Sequence, residues 1–117
     1  MRDLSAERWI AGCPSCRGNL TAACGAAGFE PDVAFETDDY VALQGLVVAG
    51  LGVAMIPDLM LAAVHPDESL VLRRLSPAPM RMTRVVTSSS LLRVPGIRQT
   101  VEAMRVAAQG LQLVLVD

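Results

Sequence analysis

Apolar residues change their spacing several times along the chain, and each change marks an element. Arg8-Trp9-Ile10-Ala11 is a short apolar run closed by Gly12. It reads as a strand and a turn, with a helix opening near Pro14 or Ser15, because proline suits the first helical turn. Leu20, Ala23 and Cys24 fall on one face of that helix until Gly28 stops it. Asp32-Val33-Ala34-Phe35-Glu36 alternates polar and apolar at period two, as a strand does. Thr37-Asp38-Asp39 supplies capping side chains and negative charge for the next helix start. From Tyr40, the positions Leu43, Leu46, Val47 and Gly50 recur at helical spacing, and Leu51-Gly52 turns into a buried strand, Val53-Ala54-Met55-Ile56, closed by Pro57. Asp58 is placed to cap a short helix through Leu59, Leu61 and Val64, which His65-Pro66-Asp67 ends. Ser69 to Leu75 and Arg81 to Ser88 read as strands on either side of the stiff Pro77-Ala78-Pro79. Pro95-Gly96 starts a last amphipathic helix with Ile97, Val101, Met104 and Ala108 on one face, and Leu111 to Val116 is an apolar tail.

The order is βαβαβα followed by ββα, which predicts an α/β fold with a mostly parallel sheet flanked by helices. At 117 residues, 52% hydrophobic and 19% charged, the chain has room for one core and the composition of a folded protein. Aromatics make up only 3%, so that core is aliphatic. All ten cations are arginine and, against twelve acids, leave a net charge of −2. No basic field is present to hold a nucleic-acid backbone. The charges are also segregated. The eight acids between Gly25 and Leu72 have no arginine among them, whereas seven arginines between Arg73 and Arg105 meet one acid, Glu102. Two solvated surfaces that attract each other explain this, and so does a last third belonging to a different structural layer. No apolar run follows the charges at the start, so no export signal is read and a cytoplasmic location is expected. Tyr40 to Pro57 has the length of a membrane span, but Gln44, Gly45, Gly50, Gly52 and Pro57 punctuate it and no membrane partner is expected.

Cys13-Pro14-Ser15-Cys16 is the most conspicuous motif, because a CxxC between a strand and a helix N-terminus places a thiol where the helix dipole favours thiolate. Cys24 is a third thiol on the same helix. The plainer reading is three small, buried, inert cysteines. A metal site lacks a fourth ligand, since the single histidine, His65, lies in a distant turn. No catalytic constellation assembles either: there is no GxSxG and no base near the cysteines. Gly50-Leu51-Gly52 sits between a helix and a strand, the reverse of a dinucleotide loop, so its role is steric. No cofactor is implied. What remains is a ligand site made of helix N-termini beyond the carboxyl ends of the strands, from the loops Gly12 to Ser15 and Glu36 to Asp39. Ser15, Thr37 and the local amides would bond a small polar ligand there; taken singly, Ser15, Thr37 and Asp38 also read as plain caps.

Four segments carry a family likeness: Ala6-Glu7-Arg8-Trp9-Ile10-Ala11-Gly12, Cys24-Gly25-Ala26-Ala27-Gly28-Phe29-Glu30-Pro31, Glu36-Thr37-Asp38-Asp39, and Leu46 through Pro57. In this order and at these separations the chain resembles the C-terminal half of a LysR-type transcriptional regulator. The resemblance implies a regulatory, non-enzymatic chain that binds a small-molecule co-inducer in a two-lobed region like a type 2 periplasmic binding protein. It implies that residues 1–79 form the second lobe, while residues 80–117 supply a returning crossover strand, a C-terminal helix and a tail that pack on the first lobe. DNA would be met only through a winged helix-turn-helix domain absent from this chain, together with most of the first lobe. Carried over residue by residue, the effector contacts fall on Thr37, Asp38, Ser15, Pro14 and Cys13. An apolar C-terminal face without its own sheet implies a homo-oligomer formed by segment exchange. Two alternatives stand beside this: a small CxxC redox protein or redox-sensing fragment using Cys13, Cys16 and Cys24, and a piece of a solute-binding protein, against which the absence of an export signal argues.

Overall fold

Three short strands, β1 (Arg8–Ala11), β2 (Asp32–Glu36) and β3 (Val53–Ala54), form one parallel sheet in the order β2-β1-β3. This computed structural model describes residues 1–111. Strand β1 lies in the middle, and Trp9, Ile10 and Ala11 on it are buried together with Leu20, Cys24 and Leu43. The crossovers are helical, α1 (Pro14–Ala26) between β1 and β2 and α2 (Tyr40–Val48) between β2 and β3. They step in opposite directions across the sheet, so right-handed connections put the two helices on opposite faces. Side-chain alternation along β1 agrees with this. Trp9 and Ala11 cluster with Leu20 and Cys24 of α1, and Ile10 between them takes the other face.

Local chemistry explains the boundaries. Helix α1 opens with Pro14 at its first position and stops at Ala26, after which Gly28 takes φ +90°, a left-handed value that favours glycine. Helix α2 is capped by Asp39, whose Oδ1 accepts from the Val41 and Ala42 amides at 2.8 and 3.3 Å. A cap of this kind contributes about 1 kcal/mol. Gly50, at φ +72°, turns the chain out of α2, and Gly52 passes so close to β1 that a Cβ there would lie 2.6 Å from the Arg8 carbonyl oxygen. The glycine pair is therefore a steric device, as its position between helix and strand predicts.

The structure departs from the sequence reading in several places. Strand β3 pairs with β1 only at Val53 and Ala54, not as far as Ile56. Asp58 is not a cap: Pro57 precedes the short helix α3 (Asp58–Ala63), and Asp58 lies in its first turn, where its charge still suits the helix dipole. Neither Ser69 to Leu75 nor Arg81 to Ser88 forms a strand. A strand-like run becomes a strand only where another strand offers its free N–H and C=O groups, and among the described residues neither segment has such a partner. The crossover strand expected from Arg81 onward is thus an irregular segment, with Met82 75% and Val86 88% exposed.

The chain divides into two compact units, Met1–Pro79 and one beginning at Met80. The second contains a 3-10 turn, Leu91–Arg93, and helix α4 (Pro95–Gln109). On the expected apolar face Ile97 and Val101 are half-buried, but Met104 is 52% exposed and no residue of α4 is fully buried. Beyond Leu111, the apolar tail read up to Val116 lies outside the described residues. Among those residues no helix is long and apolar enough to cross a membrane.

Candidate functional site

Parallel neighbours end at the same edge of a sheet, and this alone brings the two loops singled out in the sequence together. Ala11 and Glu36 are register partners at the ends of β1 and β2. One residue further, the Thr37 amide donates to the Ala11 carbonyl at 3.0 Å. The loop after β2 is thereby tied to the loop after β1, and the N-terminal turns of α1 and α2 open at one edge, the ordinary ligand position in open α/β sheets.

Thr37 is half-buried, and its Oγ1 accepts from the Asp39 amide at 3.2 Å. Its hydroxyl hydrogen and second lone pair stay available to a ligand. The two acids beside it divide their roles. Asp39 directs its carboxylate to its own helix as the cap, while the side chain of Asp38 is exposed at the edge. Across from them, Cys13 holds the cap position of α1 without a side-chain cap bond, Pro14 occupies the first helical position, and Ser15 follows, exposed. The first amides of a helix have no acceptor within it, so this uncapped turn presents donors and the positive end of the dipole. The Ser15 carbonyl is engaged by Asn19 Nδ2 at 2.9 Å. Ser15, Pro14, Cys13, Thr37 and Asp38 therefore all stand at this edge, on the two adjoining loops and the first turn of α1.

The three thiols separate. Cys13 and Cys16 are half-buried at the loop, with the Cys13 thiol donating to Cys16 Sγ at 3.1 Å. Cys24 lies two helical turns on, about 12 Å along the axis, fully enclosed beneath Trp9 and Ala11. Burial pushes its thiol up from the ordinary value, with the chain's N-terminal ammonium opposing, so Cys24 stays a neutral core thiol. Two participants escaped the sequence reading. Tyr40 Oη lies 3.9 Å from Cys16 Sγ, and Arg17 pairs with Glu36 across α1 and β2. Both are contacts between elements, invisible until the strand order is known. The Arg17–Glu36 pair is about half exposed, so it adds little stability. With Pro14, Gly18, Thr21 and Ala22 it borders a shallow open depression on α1, which shares only Pro14 with the expected contacts. His65 is exposed in its turn, and no metal-binding cluster of three or more His, Cys, Asp or Glu side chains occurs among the described residues.

The edge thus offers hydroxyls, amides, a dithiol and the exposed carboxylates of Asp38 and Asp39, a set that reads the polar outline of a small molecule. Residues 1–109 match the family model of the LysR substrate binding domain. No curated protein and no solved structure matches the chain. That family is a regulatory one, with the periplasmic-binding-protein-like α/β architecture that the sheet and its two crossover helices display. A match spanning residues 1–109 of 117 leaves little of the chain outside it, and the chain belongs to the LysR substrate binding domain family.

Proposed function

We propose that the carboxyl edge of this sheet is one wall of an effector site. Thr37, Asp38, Ser15, Pro14 and Cys13 contact a small-molecule co-inducer, and in a full-length LysR-type regulator that binding selects one arrangement of lobes or subunits and so controls transcription. The observation that carries the reading is the Thr37 amide bond to the Ala11 carbonyl, which makes the two loops a single surface. Asp39 turns its carboxylate to the α2 amides but keeps its charge, so with Asp38 it favours a neutral or cationic ligand over an anionic one. Residues 1–79 act as the second lobe, and DNA is reached through a separate domain in the cytoplasm.

A thermal-shift panel of small polar metabolites, carboxylates included, tests this. For a compound that raises the melting temperature, Thr37→Val and Ser15→Ala should each weaken binding by about threefold to tenfold, the cost of one hydrogen bond. The unliganded melting temperature should change little. A ligand whose affinity neither variant alters lies elsewhere, and the edge is then not the effector site.

The second unit supports a further part of the reading, self-association. Met80 is 90% exposed, Val86 88% and Met104 52%, apolar side chains that a partner surface would cover. A second copy covers it by exchanging the C-terminal segment. Sedimentation velocity at about 10–50 μM, a range that detects moderately weak association, should show a dimer or larger species; a compact monomer throughout removes this part.

A further inference from the structure

We propose that Cys13 and Cys16 form an oxidisable dithiol, a site at which a two-electron oxidant of the hydroperoxide class closes a reversible disulfide within the first turn of α1. The sulphur atoms lie 3.1 Å apart, so reaching the disulfide length of about 2 Å takes an approach of about 1 Å. Both side chains are half-buried, open to a small reagent, whereas Cys24 is enclosed.

Gly12 leaves room for the close approach. A Cβ at that position would lie 3.0 Å from Cys16 Cβ and 3.5 Å from Cys16 Sγ, so a larger residue makes Cys16 give by a few tenths of an ångström. That is enough to disturb a pair of sulphurs already within 3.1 Å. A soft metal ion is the rival occupant of two thiols, but no third His, Cys, Asp or Glu joins them in a cluster among the described residues.

In the reaction one thiol, as thiolate, attacks the peroxide oxygen and breaks the O–O bond. This gives a sulfenic acid and an alcohol or, from hydrogen peroxide, water. The second sulphur then attacks the sulfenic sulphur and expels its oxygen as water, forming the S–S bond. Two thiols and one hydroperoxide become one disulfide, one alcohol and one water; the dithiol loses two electrons and the peroxide gains them. A cellular dithiol reductant reverses the step by exchange. Disulfides of this transient kind are the sort found in reducing compartments.

The chemistry is independent of the effector reading, since it needs no ligand, and its readouts are thiol count and mass. The reduced chain, titrated with a chromogenic disulfide reagent, should show Cys13 and Cys16 reacting in the folded state and Cys24 only after denaturation. Stoichiometric hydrogen peroxide should then remove both loop thiols together, with an intact mass lower by two hydrogens, and dithiothreitol should restore them. Cys24→Ser should behave the same. Cys13→Ser should lose the two-hydrogen change and yield a sulfenic acid that dimedone traps on Cys16. Gly12→Ala should slow closure severalfold while the fold, followed by circular dichroism, persists. Disulfide-linked dimers in place of the internal bridge, consumption of Cys24 at the same rate, or thiols unchanged by excess peroxide would each overturn the proposal.

Discussion

Replacing Trp9 with Ala is expected to unfold the Met1–Pro79 unit at ambient temperature or bring it to the edge of unfolding. The indole is 1% exposed and occupies the middle strand, where Ala11, Leu20 and Cys24 form the buried cluster and Phe29, Val33, Val53 and Met55 pack against it. Truncating a buried tryptophan costs about 3–5 kcal/mol, a large part of the roughly 5–15 kcal/mol that holds a typical domain together. No second aromatic in the buried set can close the gap, because the other buried residues are aliphatic or Cys24. Trp9→Phe should cost less than half as much. It keeps most of the ring and removes Nε1, a buried N–H that has no acceptor among the described residues and whose desolvation penalises the folded state by about 1–3 kcal/mol. Urea unfolding followed by far-ultraviolet circular dichroism separates the two variants. Equal losses for Phe and Ala would mean that the indole N–H finds an acceptor in solution.

The elements that sequence reading places correctly are those whose ends are decided locally. Arg8–Ala11 and Asp32–Glu36 emerge at the expected residues because each is a short extended run bounded by turn and capping chemistry. Pro14 and the Thr37-Asp38-Asp39 stretch announce the starts of α1 and α2 for the same reason. The segments from Ser69 to Leu75 and from Arg81 to Ser88 carry apolar and β-branched residues as strands do, yet form no strand. Such composition suits an extended run; it does not supply the neighbouring strand that makes the ladder. The sequence likeness to the LysR family could name a crossover strand, but pairing is a property of two segments.

The candidate site divides the same way. Thr37 and Ser15 could be chosen from sequence because parallel strands deliver their following loops to one edge, and that rule needs only the order of elements. Which acid caps α2 could not be chosen, since Asp38 and Asp39 are chemically alike; the helix begins so that Asp39 meets the Val41 and Ala42 amides. The grouping of three cysteines on one helix was too coarse. An offset of eight residues turns Cys24 by about 80° from Cys16 and moves it about 12 Å along the axis, and together these carry it from the loop into the core. Tyr40 reaches Cys16 only because β1 and β2 are adjacent, a fact of tertiary pairing with no signature in the chain.

Gly52→Ala should destabilise the unit by about 2–3 kcal/mol, toward the upper end of what overpacking costs, while the chemically identical Gly45→Ala should stabilise it. At position 52 the new methyl would lie 2.6 Å from the Arg8 carbonyl oxygen, 3.1 Å from the carbonyl carbon and 3.4 Å from Ile10 Cγ1. Backbone cannot swing aside as a flexible side chain would, and β3 is held to β1 at only two register positions, Trp9 with Val53 and Ile10 with Ala54. The simplest relief is for β3 to leave the sheet, which uncovers one side of β1. At position 45, inside α2, nothing lies within 4 Å of the added carbon. There alanine restricts the unfolded chain and favours the helix, a gain of about 0.5–1 kcal/mol. Trp9 is the single tryptophan, so its fluorescence reports on β1 in both variants. Gly52→Ala should shift the emission to longer wavelength and lower the urea midpoint, and Gly45→Ala should leave the emission alone and raise the midpoint. If both substitutions moved the midpoint in the same direction, the close passage of Gly52 over Arg8 would not be what holds β3 in register.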